Sequence, residues 1–113
     1  MKEYSVKITR QAREHLRAIK RHIEEELLAP DAAKNIINEL KKSIKSLSKM
    51  PGRIKLTDEE PWRSEGIHRM RVKNYYVYFW IDEDNAKVQV TSVIYVAREQ
   101  VAQLELMEIE TDL

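Results

Sequence analysis

The sequence predicts an α+β fold of order β-α-α-β-β-β, with a helical hairpin packed on one face of a mainly antiparallel sheet. Three observations predict it. A short period-two segment opens the chain, two long stretches with helical apolar spacing follow, and three strand-like segments come in succession after a loop. Helices grouped before strands argue against a parallel, alternating α/β layout.

Each element has its own signal. In "YSVKIT", Tyr4, Val6 and Ile8 alternate with Ser5 and Lys7, as in a half-buried strand. Thr9 offers a hydroxyl to cap the helix that follows. Ala12, Leu16, Ile19, Ile23 and Leu27 then recur at helical spacing and form one inward face. "APD" interrupts this pattern, and Pro30 suits the first turn of a second helix. That helix repeats the logic through Ala33, Ile37, Leu40, Ile44 and Leu47 and stops at Pro51-Gly52. The short link folds the pair into a hairpin. Residues 52–65 have no sustained period and read as a loop. Strands are expected at about 66–73, 75–82 and 87–96, with Asn74 and "DEDN" at the turns. Residues from about 98 to 113 form a C-terminal helix or tail. Val101, Leu104 and Met107 point inward there if it is helical.

The 113 residues suit one domain, spanning 1–113. No apolar run approaches the ~20 residues of a membrane span, and "MKEYSVKITR" lacks the pattern of a secretory signal. Without cysteine there is no disulfide framework and no thiolate metal site, so a reducing cytoplasm is the expected location. The net charge of +1 conceals segregation. Residues 41–73 carry ten Lys/Arg against four Asp/Glu, whereas 82–113 carry two against eight. An anionic target, self-neutralisation by the tail, and a solvated surface all fit that pattern.

A sheet covered on one side exposes the other. Val77, Phe79 and Ile81 suit the core, which leaves Tyr76, Tyr78 and Trp80 on the opposite face. Arg69, Arg71 and Lys73 should join them, because burying three bare cations is costly. Cations beside aromatics can grip phosphates and stack bases. The same composition suits a protein interface, or a sheet face closed by its own cation–π contacts. His15 and His22, seven apart on one helix, read as surface residues. His68 has core parity, so a structural role is expected ahead of acid–base work. "EEE" at 24–26 and "DEE" at 58–60 read as solvated acids rather than metal ligands. No phosphate-cradling glycine loop and no hydrolase or zinc motif occurs. No metal or cofactor is expected. The acidic tail either lies over the basic sheet or frays into solvent.

Several segments, taken in order, resemble one family. "ITRQAREHLRAIKRHI", "DAAKNIINELKKSIKSLSKMP", "GIHRMRVKNYYVYFWID" and "VQVTSVIYVARE" are similar to the two helices, the central hairpin and the final strand of the RelE/ParE superfamily of bacterial type II toxins. The resemblance covers residues 4–100. It implies the same fold, a cytoplasmic toxin, a cognate antitoxin protein as partner, and no membrane. It also divides the expected target. ParE-like members poison DNA gyrase, and the long helical hairpin looks ParE-like. RelE-like members cut mRNA on the ribosome with basic residues of the exposed sheet.

Carried over residue by residue, Arg69 and Arg98 match basic positions of RelE-like toxins. A further arginine of theirs falls on Tyr76, and a late tyrosine on Leu104. "YVAR" lacks the glycine that many ParE-like chains carry before their final arginine. The expected target-binding set is Arg69, Arg71, Lys73, Tyr76, Tyr78, Trp80 and Arg98. If the chain is a ribonuclease, Arg69, Arg71, Tyr76 and Arg98 are the catalytic candidates. The first expectation is a gyrase poison without chemistry of its own. The alternatives are a ribosome-dependent mRNA endoribonuclease and a non-toxic binding protein of the same fold.

Overall fold

The computed structural model describes residues 2–97. Strand β1 (Ser5–Ile8) runs into helix α1 (Arg10–Arg21), and helix α2 (Pro30–Lys45) precedes strands β2 (Ile67–Val72), β3 (Tyr75–Asp82) and β4 (Lys87–Tyr95). The sheet order is β1-β4-β3-β2, with β1 parallel to β4 and the other neighbours antiparallel. Parallel neighbours cannot be joined by a tight turn, so the helices and the hairpin supply the crossover between β1 and β4.

Local chemistry sets the helix ends. Thr9 is extended, and its hydroxyl accepts a hydrogen bond from the Ala12 N–H at 3.2 Å, which caps α1. Pro30 sits in the first turn of α2, where its missing N–H leaves no helical bond unmade. Ala33, Ile37, Leu40 and Ile44 are buried along α2, and Leu47 is buried in the 3₁₀ turn that follows (Ser46–Ser48).

The apolar pattern of the first helix overruns its inward face. After Arg21 the chain widens into a π-helical turn (His22–Glu26), closed by the Leu27 N–H donating to the His22 carbonyl at 3.2 Å. Leu28 then turns left-handed (φ 50°). Leu27, expected inside, is therefore 60% exposed, and Leu28 is 81% exposed at the hairpin tip. Ile23 remains buried. Ile23→Ala should cost about 2–5 kcal/mol, while Leu27→Ser should stay within about 0.5 kcal/mol. Urea denaturation of the two variants checks the difference.

The core lies between the helices and one face of the sheet. Ala12, Leu16, Ile37, Leu40, Ile44 and Leu47 pack with Val77, Phe79, Val88, Val90 and Val93, and Ile81 packs at its margin. Val90 and Val93 could not share a face in a regular strand, because their spacing is odd. A bulge reconciles them. Tyr78 pairs with Ser92 and Phe79 with Val90, so Thr91 is the extra residue, and its hydroxyl donates to the Tyr78 carbonyl at 3.3 Å.

His68 takes the structural role expected of it. Its ring stacks on Phe79 (centroids 5.1 Å, planes 11° apart), and Nδ1–H donates to the Ile54 carbonyl at 2.6 Å. His15 is not the surface residue that its helical position suggested. It is half-buried, and its Nδ1 accepts from the Val93 N–H at 3.1 Å, tying α1 to β4. His22 is exposed and meets Glu26 at 2.7 Å.

Candidate target-binding face

The β2–β3 register builds the uncovered face. Ile67 lies opposite Trp80, Arg69 opposite Tyr78, and Arg71 opposite Tyr76. Long side chains also reach diagonal neighbours across an antiparallel pair. The Arg69 guanidinium accordingly lies over the Tyr76 ring, 4.2 Å from its centroid, with Arg71 at 5.9 Å. Tyr76 and Tyr78 meet edge to face at 6.3 Å. Trp80 is exposed on the same side. Arg69, Arg71, Tyr76 and Tyr78 thus come together as the sequence suggested.

Two expected members stand elsewhere. β2 ends at Val72, and Lys73 occupies the hairpin turn with φ 55°. It is a turn cation rather than a strand residue, because a two-residue hairpin needs a left-handed residue to match the strand twist. The Arg71 Nε–H donates to its carbonyl at 3.0 Å, which fixes the Arg71 side chain along the turn. Arg98 and the rest of the tail, Leu104 included, lie outside the described residues.

The face is also less open than a bare sheet. Residues 55–57 cover the free edge of β2: the Arg69 N–H donates to the Lys55 carbonyl (3.3 Å), and the Thr57 N–H to the Ile67 carbonyl (2.9 Å). The chain then forms a compact turn whose Glu59 and Trp62 line a hollow together with Tyr78, which is buried. The acids at 58–60, expected to be solvated, include two that bind the sheet. Arg69 Nη1 meets Glu59 Oε1 at 3.0 Å, and its Nη2 lies 3.9 Å from Asp58 Oδ2. Asp58 also faces Arg63 at 3.6 Å. The Arg69 side chain is left only 22% exposed. Burial alone would lower its pKa, but Tyr76, Tyr78 and Glu59 outweigh that and leave it raised, so the guanidinium stays charged.

Sequence reasoning took Asp58 and Glu59 for solvated acids and missed Thr57 and Arg63. The signal available was an acidic triplet whose Glu59 lies ten residues before Arg69, but a loop without periodicity gives no register.

Two hollows flank these elements. One, of about 420 Å³, opens on the outer face between Gln11, Glu59, Trp62, Ile67, Tyr78 and Ile94. The other, of about 570 Å³, runs between the helices and the ends of β3 and β4 and is lined mainly by apolar groups such as Ile19, Ile23, Ile36, Tyr75 and Tyr95. Among the described residues, His, Asp and Glu side chains form no group of three or more placed to hold a metal ion, and no helix is long and apolar enough to cross a membrane.

Comparison with known proteins places this arrangement. The family described as "ParE toxin of type II toxin-antitoxin system, parDE" matches residues 6–99. No curated protein matches the chain in sequence. Among solved structures, the chromosomal ParDE system of P. aeruginosa superposes with a TM-score of 0.69 at 20% identity, over 85% of this chain and 99% of that one. A mutant of the E. coli toxin RelE in the free state gives 0.59 at 15% identity, over 95% and 98%. The RelBE2 toxin–antitoxin complex of Mycobacterium tuberculosis gives 0.57 at 21%, over 82% and 98%. These structures share the two helices on a four-stranded sheet, and with nearly the whole described chain inside the family match, the protein belongs to the ParE toxin family of type II toxin–antitoxin systems.

Proposed function

We propose that the chain arrests bacterial growth when free of its antitoxin by poisoning DNA gyrase, engaging it as a protein target through the outer sheet face. The observation that carries this reading is the state of Arg69. Cleavage of RNA by its own 2′-hydroxyl needs a base, an acid and a cation free to meet the phosphorane. Here the half-buried cation of the face is held by Glu59 and Asp58. His68, the one imidazole on β2, is turned to the core and bonded to the Ile54 carbonyl. Tyrosines and arginines fixed by their neighbours suit a protein interface, where those residue types dominate binding energy. Arg69, Arg71, Tyr76, Tyr78 and Trp80 form the centre of the surface in this reading, with Lys73 at its turn; Arg98, outside the described residues, belongs to the proposed set.

The antitoxin has a separate place. The apolar groove between the helices and the β3–β4 ends, with exposed Leu27 beside it, would take the apolar face of an antitoxin segment. Support comes from solved relatives, which include toxin–antitoxin complexes. mRNA cleavage remains the second reading, favoured by the stacking of Arg69 on Tyr76, a pair able to hold a phosphate and a base.

Expression of the chain alone from a tightly controlled promoter separates these readings. Growth arrest with a DNA-damage response and intact mRNA is the expected outcome. Arrest with fragmented, translated mRNA would replace the first reading by the second. Unimpaired growth would leave a non-toxic binding protein of the same fold.

A further inference from the structure

The groove between the helices and the β3–β4 ends holds one polar group that the fold leaves half used. β1 pairs with β4 only as far as Val90, so the Val93 N–H has no strand partner on that edge. The His15 ring takes the place of one, its Nδ1 accepting from the Val93 N–H at 3.1 Å. An imidazole that accepts at Nδ1 is neutral and carries its proton on Nε2. The strand edge therefore fixes the tautomer. Among the described residues nothing accepts from that Nε2–H, and no polar side-chain atom without a partner is sealed from solvent. His15 is half-buried and lines the groove, so its second nitrogen opens there.

We propose that the Nε2–H of His15 is the selective donor of the antitoxin groove, and that the antitoxin segment seated there carries an uncharged oxygen acceptor opposite it. This rests on the reading of the groove given above and adds the chemistry by which the groove chooses its occupant. The surroundings favour one such contact. Ala18, Ile19, Ile23, Ala32, Ile36 and Ile94 supply apolar wall around the ring. Among the described residues the lining includes no Lys, Arg, Asp or Glu. The other imidazole, His22, is exposed and already meets Glu26 at 2.7 Å. A carboxylate brought into the groove would find no cation to offset its loss of water. An aliphatic side chain would cover the His15 N–H and leave it without a partner. A side-chain amide, a hydroxyl or a main-chain carbonyl satisfies the donor without adding charge.

Two substitutions separate the donor from the strand tie, because the amide side chains reproduce the imidazole nitrogens one at a time. In His15→Asn the amide oxygen falls near the place of Nδ1 and still accepts from Val93, but no donor reaches into the groove. In His15→Gln the amide N–H falls near the place of Nε2. The groove then keeps a donor while the strand edge loses its acceptor.

Isothermal titration of the full chain with its full-length cognate antitoxin reads the difference, with Ile36→Arg as the test of the groove itself. His15→Asn should weaken binding about tenfold or more, because the antitoxin's acceptor is then buried unmet. His15→Gln should stay within about threefold of the wild type. Ile36→Arg should abolish the heat of binding. Wild-type affinity in His15→Asn would overturn the proposal. Equal losses in His15→Asn and His15→Gln would overturn it too, since His15 would then act only by holding β4. Wild-type affinity in Ile36→Arg would take the antitoxin out of the groove and the broader reading with it. Loss in Ile36→Arg with none in His15→Asn sinks the donor alone and leaves the groove standing. If either His15 variant is unfolded by circular dichroism, nitrogen-edited NMR of the wild-type complex decides. The His15 Nε2–H should be shielded there from exchange with water, and a freely exchanging proton would refute the proposal.

Discussion

Replacing Phe79 with alanine should lower the unfolding free energy by about 3–5 kcal/mol, the range for truncating a fully buried phenylalanine. Phe79 is completely buried at the centre of β3, packed between the helices and its neighbours on β4. The change would also strip the His68 ring of the surface on which it stacks. The hydrogen bond from His68 to Ile54, which ties the 51–57 segment to β2, would then lose its support. Small domains hold a margin of about 5–15 kcal/mol, so this single change should remove a large share of it. The melting temperature should fall by roughly 15 °C or more. Urea denaturation and a thermal melt measure both quantities. A loss below about 1 kcal/mol would mean that Phe79 does not anchor the core.

The second large effect is functional. Arg69→Glu should abolish growth arrest while leaving most of the fold intact. The substitution puts a third carboxylate beside Asp58 and Glu59, where Arg69 now pairs closely with Glu59 and lies 3.9 Å from Asp58. It also removes the cation from the Tyr76 ring. Leaving Glu59 without its charged partner should cost about 1–3 kcal/mol, less than the Phe79 truncation. Arg71→Ala is the useful contrast, because Arg71 is exposed and bonds mainly to its own turn. It should be stable to within about 0.5 kcal/mol and weaken toxicity only in part. Plating efficiency under induction, set beside the urea midpoint of each protein, distinguishes loss of binding from loss of fold. Full toxicity in Arg69→Glu would remove the outer face from the account.

The layout of this molecule could be read from sequence because its signals are periodic. Alternation in β1, the spacing of Ala12, Leu16 and Ile23, and the run from Ala33 to Leu47 each specify a face, and burial bears those faces out. The meeting of Arg69 with Tyr76 was legible for the same reason, since strand parity alone puts them on one side. What escaped depends on departures from period. Leu27 obeys helical spacing but sits where a π-turn ends the helix. The Thr91 bulge, which lets Val90 and Val93 share the core, is invisible to an alternation count. Glu59 reaches Arg69 across ten residues of irregular chain, and no local rule predicts that contact. Its consequence is functional, because it converts an apparently bare cation into a paired one.

The claim that the outer face engages a protein target, rather than cutting RNA, can be tested on purified components. The quantity to measure is the amount of cleaved plasmid trapped by gyrase as the full chain is titrated in, with Arg69→Glu as the control. The account predicts cleaved DNA rising with wild-type toxin and staying at background with the variant. Unaltered gyrase, together with new mRNA ends on programmed ribosomes exposed to the same preparation, would contradict it.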